Sequence, residues 1–211
     1  SRHFCGPQQH GNAQRQNGQF VCDSCQQADA VDIMRQVCCS SPDRDAAVLM
    51  QKIRSHPRFA VHGPEHHALV PAVMLTALKN SGFPVNNDQI SMAVERGSTV
   101  AGGACAFLGI CGAAVGVGIA FSILLSATPL EGEKRQRVQQ MTQAVLGEIA
   151  DYAAPRCCRR DSWIALQTAA GLLHSEMGME FPVSKISCDQ VSKNRECIED
   201  RCPLWPGWEA S

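Results

Sequence analysis

Aromatic residues are scarce in this chain, and its charges of opposite sign nearly cancel. Aromatics make up 5% of the 211 residues, with a single tyrosine, and the formal net charge at pH 7 is −1. A nucleic-acid partner would need stacking platforms and a positive field, so we expect none. Regular alternation of apolar and polar residues is also missing, which disfavours an extensive β-sheet.

Charged residues are absent from one long run, residues 97–130. The run is long enough to span a bilayer, but it contains several glycines and two cysteines and lacks flanking Trp or Tyr anchors. The mean hydropathy of the whole chain is also below zero, at −0.13. We therefore expect no membrane span, but a buried helix rich in Gly, Ala and Cys at the centre of a helical domain.

No apolar stretch opens the printed chain, so we expect no signal peptide and a cytoplasmic location. Twelve cysteines are present, and disulfides, metal ligands and buried thiols are the competing explanations. Two adjacent pairs, Cys38–Cys39 and Cys157–Cys158, fit a disulfide framework poorly. With 45% hydrophobic residues the chain can also build a core without cross-links. We favour metal ligation in a reducing compartment.

The helical spacing of apolar residues predicts a mainly α fold. We expect an N-terminal cysteine-containing segment with a first helix, residues 1–40, and one helical domain, residues 41–211. Ser41 as N-cap and Pro42 as first residue would begin the second helix. Counting these two, helices are expected over residues 28–39, 43–55, 64–80, 87–96, 104–127, 133–152 and 161–177.

A glycine-rich segment carries the first two candidate metal ligands, Cys105 and Cys111. Free backbone N–H groups at a helix start stabilise thiolates and donate to cluster sulfur atoms, and small residues leave volume for a cluster. The alternative is two buried thiols in a tightly packed helix. The glycines expected to contact the cofactor are Gly102, Gly103, Gly109 and Gly112.

Two further groups of cysteines complete the candidate ligands. Cys157 and Cys158 lie among arginines, which lower thiol pKa values, and we expect Arg159 and Arg160 to hold an anionic substrate. The alternative is an exposed basic turn. In the C-terminal segment, a cysteine before proline is typical of cluster ligation, although disulfides remain an alternative there. The candidate ligands in that segment are Cys188, Cys197 and Cys202.

The sequence His62-Gly-Pro-Glu65-His66-His67 is the candidate source of general acids and bases. It differs from the H-E-x-x-H zinc-protease pattern in its spacing, and polar capping of a helix is the alternative role. Cys22 and Cys25 form half of a zinc knuckle without an evident second half, so zinc there is a second candidate metal.

Taken together, these blocks resemble the family catalogued as domain of unknown function 5714. The resemblance implies a cytoplasmic protein of anaerobic bacteria or archaea, sometimes fused to methyltransferase-like domains, and it carries no settled activity. Ala106, Gln26 and Arg2 depart from the residues expected at their positions, and the last two weigh against an N-terminal zinc site. The matching blocks are Phe20–Cys25, His62–His67, Gly102–Ile119, Pro155–Cys158, Asn194–Cys197 and Cys202–Pro203 with Cys188.

These observations predict an enzyme with a [4Fe–4S] cluster that performs non-redox C–S bond or sulfur-transfer chemistry on a small anionic substrate. One alternative is an electron-transfer or cluster-carrier module that serves a methyltransferase or radical enzyme. Another is a structural zinc protein. A homo-oligomer is compatible with the sequence.

Overall fold

The protein is a mainly α domain, as the sequence predicts. The structure, a computed structural model, describes residues 13–14, 20–21 and 23–207, with side chains from residue 30 onward. Two-residue strands, β1 (Ala13–Gln14) and β2 (Phe20–Val21), pair antiparallel before the helices begin. The α-helices of this part are α1 (Asp23–Ser40), α2 (Ala46–Arg54), α3 (His66–Asn80), α4 (Asn87–Ser98), α5 (Ala104–Phe107), α6 (Gly112–Leu124), α7 (Gly132–Ala150) and α8 (Cys158–Met177). Two 3-10 turns follow, Val191–Lys193 and Glu199–Arg201.

Helices α3 and α6 occupy the centre of the core. Helix α3 packs against α1, α2, α4, α6 and α8, and α6 packs against α3, α4, α7 and α8. Both helices are apolar around most of their circumference, which is why both are buried. The expected burial of the Gly/Ala-rich segment is confirmed for α6.

Glycines allow these central helices to approach closely. A Cβ atom at Gly116 of α6 would lie 2.7 Å from Pro71 Cδ of α3, and one at Gly97 of α4 would lie 2.5 Å from Ala68 Cα. Neither contact leaves room for a methyl group, because the opposing atoms belong to a ring and to backbone. The packing of α3 against α4 and α6 therefore depends on both glycines.

The predicted helix over residues 104–127 is wrong in one respect, because the structure divides it. Helix α5 ends at Phe107, Gly109 has a φ of +65° in the connection, and α6 begins after Cys111. A left-handed residue cannot continue an α-helix, so the chain turns there. The break places Cys111 at the N-cap position of α6.

Three other helix starts differ by at least three residues from the sequence prediction. Helix α1 begins at Asp23, five residues before the predicted start. Helix α2 begins at Ala46, where the carboxylate of Asp45 accepts hydrogen bonds from two backbone N–H groups, while Ser41 bonds to Asp43 instead. Helix α8 begins at Cys158, three residues before the predicted start. None of the helices in the described part of the chain is both long enough and apolar enough to cross a membrane. The division at residue 40 stays a prediction.

Candidate functional site

A cavity of about 240 Å³ lies where the N-terminal ends of α3, α6 and α8 meet. Its wall combines three of the sequence blocks singled out above: the histidine-rich segment, the glycine-rich segment and the start of α8. The predicted site residues that line it are His62, His66, His67, Gly102, Gly103, Gly112, Cys105, Cys111 and Cys158.

A second, larger cavity of about 650 Å³ adjoins the first. The two share a wall that includes Cys105, Cys111 and Arg156. Gly109 and Arg160 line only the second cavity. The predicted site residues that line neither cavity are Glu65, Cys157, Arg159, Cys188, Cys197 and Cys202.

His62 has one nitrogen fixed and one open. Its Nε2 lies 3.0 Å from Asn194 Oδ1, which also accepts a hydrogen bond from the Glu196 backbone N–H. Nε2 must therefore carry the proton, and Nδ1 is left as a bare acceptor without a hydrogen-bond partner. Burial lowers the pKa of His62. The hydrogen bond to Asn194 raises this pKa in part, and the guanidinium of Arg156 lowers it again, so the ring is neutral at pH 7.

His67 shows the same pattern. Its Nδ1–H donates to the backbone carbonyl of Val100 at 2.9 Å, which leaves Nε2 as the acceptor nitrogen. Burial lowers the pKa of this imidazole. The ring lies directly against Gly112, where a Cβ atom would be 2.0 Å from His67 Cδ2. Gly112 is thus required for the position of a histidine as well as for open space.

His66 is committed to structure although it touches the cavity. Arg54 Nη1 donates to His66 Nδ1 at 2.5 Å, and His66 Nε2–H donates to the Ala60 carbonyl at 3.0 Å. Its ring also packs edge-on against Phe59. Complete burial and the adjacent Arg54 hold the pKa of His66 well below its usual range. Both ring nitrogens are occupied, so His66 does not offer a free base.

Glu65 lies behind the cavity wall. It is fully buried, its Oε1 is 3.7 Å from His66 Nε2, and a Cβ atom at Gly63 would lie 2.2 Å from its Oε2. Gly63 is therefore the residue that makes room for this carboxylate. Glu65 thus packs beside His66 in the histidine-rich segment and does not line the cavity.

Burial, and not positive charge, has the largest effect on the pKa values of Cys111 and Cys158, two thiols that line the cavity. Burial raises the pKa of Cys111 to about 11 and that of Cys158 to about 12. Backbone N–H groups oppose this: those of Ala113 and Ala114 act on Cys111, and that of Gly63 acts on Cys158. The sequence predicts depressed pKa values for Cys157 and Cys158, and both are raised instead: nearby arginines do lower them, but the removal of the sulfur atoms from water outweighs that effect.

A second group of thiols lies outside the cavity. Burial raises the pKa values of Cys157, the N-cap residue of α8, and of Cys202. The thiolates of Cys157 and Cys188 raise the pKa of Cys202 further. Asn194 Nδ2 lies 3.9 Å from Cys157 Sγ. All nine cysteines with described side chains are free thiols.

The two arginines predicted to bind substrate already have partners. Arg159 is ion-paired with Asp189 and donates to the Ser187 carbonyl, and Arg160 donates through Nε to Asp161 at 2.9 Å. Both side chains are buried, with relative exposures of 2% and 3%. The exposed guanidinium of Arg156 lines both cavities instead.

Sequence reasoning missed several residues of the site. Ser162 lines the cavity, is 1% exposed and has no hydrogen-bond partner for its Oγ atom. Asp161 lines it too, and burial raises the pKa of its carboxyl despite the ion pair with Arg160. Asn194 and Arg54 orient two of the histidines from outside. The available signal for Ser162 was a small polar residue one helical turn after Cys158, among apolar residues of the same helix.

Ligand groups for a single metal ion are not apparent among the side chains from residue 30 to 207. No three His, Cys, Asp or Glu side chains in that range are grouped closely enough to hold one ion. The zinc prediction falls on Cys22, which lies outside the described residues, and on Cys25, which lies in α1 without a described side chain. It stays a prediction.

A family model matches residues 34–205, a span that contains every residue of the cavity wall. The chain belongs to the family of unknown function DUF5714. The resemblance inferred from the sequence blocks is thereby confirmed. The DUF5714 match begins within α1, after the Cys22–Cys25 pair. Searches among curated proteins and among solved structures returned no match.

Proposed function

We propose that this protein is an iron–sulfur enzyme whose cluster is held by Cys105, Cys111 and Cys158. The observation that carries the proposal is the meeting of these three thiols, from the glycine-rich segment and the start of α8, on one cavity with two neutral imidazoles. The proposal thus retains three of the seven candidate cysteine ligands that the sequence indicates. Three ligands for four irons would leave one iron open to a substrate.

The chemistry of the wall fits such a cluster. Backbone N–H groups adjoin the sulfur atoms of Cys111 and Cys158, as cluster ligands require, and four glycines contribute no side chain to the wall. Both thiols must lose a proton on binding, so metal affinity should rise with pH. A four-iron cluster is larger than one ion, and its thiolates stand correspondingly farther apart.

When bound, the cluster would supply a Lewis-acidic iron for a sulfur or oxygen atom of the substrate. The chain itself supplies the rest. Arg156 attracts an anionic group to the mouth, since its charge is not committed to a described partner. His67 Nε2 accepts a proton from the carbon beside a carboxylate, and the electron pair expels a thiolate from the next carbon. This elimination breaks a C–S bond and needs no oxidant or reductant.

Iron and sulfide analysis of anaerobically reconstituted protein tests the assignment. Cys105→Ser, Cys111→Ser and Cys158→Ser should each lower the iron content and the visible absorbance. Cys39→Ser, an exposed position on α1, is the matched control and should keep both. Wild-type protein that binds no iron under these conditions, or equal loss in the control, would refute the proposal.

A cluster carrier for a methyltransferase or radical enzyme is the second candidate, and one observation favours it. Cys105 is exposed, and the residues after it present apolar surface: Phe107 and Leu108 are 85% and 64% exposed. Such a surface suits contact with a protein partner. Transfer of the reconstituted cluster to an apo acceptor protein, abolished by Phe107→Ser and without C–S cleavage activity, would select this function over the first.

A further inference from the structure

Ser162 differs from three threonines in the interiors of the helices. Thr76, Thr142 and Thr168 each donate to the backbone carbonyl four residues earlier, at 2.7 to 3.0 Å. Ser162 could satisfy its hydroxyl in the same way through Cys158, yet its buried Oγ has no partner. Leaving a buried hydroxyl unpaired is unfavourable, so a ligand group is the expected partner.

A second unpaired atom belongs to the same wall. His62 Nδ1 is buried without a partner, and Asn194 fixes the proton on the opposite nitrogen. This atom can therefore only accept a hydrogen bond, which requires a ligand that carries an N–H, O–H or S–H group. Because the pKa of the ring is lowered, Nδ1 remains unprotonated and an acceptor at neutral pH.

Arg156 supplies a positive charge at the same cavity. It makes no hydrogen bond or ion pair with the described residues, in contrast to Arg159 and Arg160. Asp161, a carboxylate of the same wall, is already ion-paired with Arg160. A single uncommitted guanidinium suits one carboxylate, which it can bind through two parallel hydrogen bonds.

We propose that Arg156, Ser162 and His62 form one binding subsite for a small carboxylate that bears a thiol, hydroxyl or ammonium group close to the carboxylate. Arg156 and the Ser162 hydroxyl donate hydrogen bonds to the carboxylate, and His62 Nδ1 accepts a hydrogen bond from the substituent. The inference deepens the proposed function, on which it rests for the location of the site. The cavity volume, below the range of about 300–1,000 Å³ for drug-sized ligands, restricts the class to small molecules.

Calorimetric titration with a matched series of probes tests the subsite. Lactate, thiolactate and alanine carry both groups, propionate carries only the carboxylate, and isopropanol carries only the hydroxyl. Each probe is titrated into the full chain, both iron-free and cluster-loaded, under anaerobic conditions. At least one of the first three should bind about tenfold more tightly than propionate, and isopropanol should not bind.

Three variants and a control assign the roles. Ser162→Ala and Arg156→Gln should each weaken the bifunctional probes and propionate alike, by about tenfold. His62→Phe should abolish the preference over propionate. Ser175→Ala, an exposed position on α8 whose Oγ bonds to Leu172, should change nothing. Arg156 is exposed, so its variant keeps the test valid if Ser162→Ala does not fold, which circular dichroism will report.

The outcomes separate this inference from the cluster proposal. Cluster-loaded protein that binds lactate, thiolactate and alanine no better than propionate overturns the subsite and leaves the cluster standing. Equal effects of Ser162→Ala and Ser175→Ala also overturn it. The expected binding pattern in protein that never takes up iron supports the subsite and refutes the cluster.

Discussion

Three neighbouring histidines have different chemical roles because their hydrogen-bond partners differ. His62 and His67 each donate from one nitrogen and keep the other as an acceptor, while His66 uses both nitrogens. The sequence His-Gly-Pro-Glu-His-His could not distinguish them, because Asn194, Val100 and Arg54 lie elsewhere in the chain. Only the fold identifies which imidazoles are free to exchange protons with a substrate.

The first prediction concerns the pH dependence contributed by His66. Its folded pKa is lowered, so below pH about 6.5 the unfolded chain binds a proton that the folded chain does not. The free energy of unfolding should therefore fall as the pH drops, by up to about 1.4 kcal/mol per pH unit from this residue. Urea unfolding between pH 7.5 and pH 5, values that bracket the ordinary imidazole pKa of about 6.5, measures this.

His66→Gln should be less stable than wild type at pH 7, by about 1–3 kcal/mol, because Arg54 and Ala60 lose a partner. It should also show a shallower fall in stability toward pH 5, by the linkage slope of about 1.4 kcal/mol per unit. His174→Gln, at an exposed site on α8, is the control and should retain the wild-type slope. An unchanged slope in His66→Gln would contradict this account.

A second prediction concerns Gly112. A methyl group there would lie 2.0 Å from the His67 ring, so Gly112→Ala must displace the ring and strain its bond to Val100. We expect a loss of about 1–3 kcal/mol in the free energy of unfolding, the usual cost of overpacking. Gly147→Ala in α7 faces open space and should stabilise by about 0.5–1 kcal/mol. Equal effects of the two substitutions, measured by chemical denaturation, would refute the close contact.

At the scale of the elements, helical periodicity in the sequence was sufficient to predict that most helices exist. It was insufficient to predict where several of them begin or end. Helix α4 was predicted from residue 87, where the structure begins it. The break at Gly109 was missed because an uncharged run of small residues has no local sign of where it turns. The start of α2 was misplaced because Ser41 and Pro42 are typical of a helix start, whereas Asp45 forms the cap.

The cap of α2 also connects distant parts of the chain, which supplies a third prediction. Asp45 accepts from the Ala47 and Val48 amides, and its other oxygen accepts from Ser184 in the C-terminal segment. Asp45→Ala should lower the free energy of unfolding by about 1–2 kcal/mol through loss of the cap, with the Ser184 bonds in addition. Asp32→Ala, exposed within α1, should change it by less than about 0.5 kcal/mol in the same urea titration. A smaller loss in Asp45→Ala than in Asp32→Ala would show that the cap does not contribute.

Over the whole molecule, the fold unites segments that lie a hundred residues apart. The ends of α3, α6 and α8 converge beside α5, so N-terminal amides, three of the candidate thiols and two imidazoles surround one cavity. The sequence indicated these blocks individually. It could not indicate that Arg159 and Arg160 are buried, because Asp189 is supplied by a later segment and the Arg160–Asp161 pair depends on packing. Ser162 was overlooked for the same reason.

The central claim is that the cavity thiols, and not the C-terminal ones, hold an iron–sulfur cluster. Its most direct test compares iron and sulfide content in two anaerobically reconstituted triple variants. The first replaces Cys105, Cys111 and Cys158 by Ser, and the second replaces Cys188, Cys197 and Cys202. Circular dichroism first establishes that both fold. We predict that the first variant binds no cluster and that the second keeps the wild-type content. Loss of iron from the second variant with retention by the first would contradict the account.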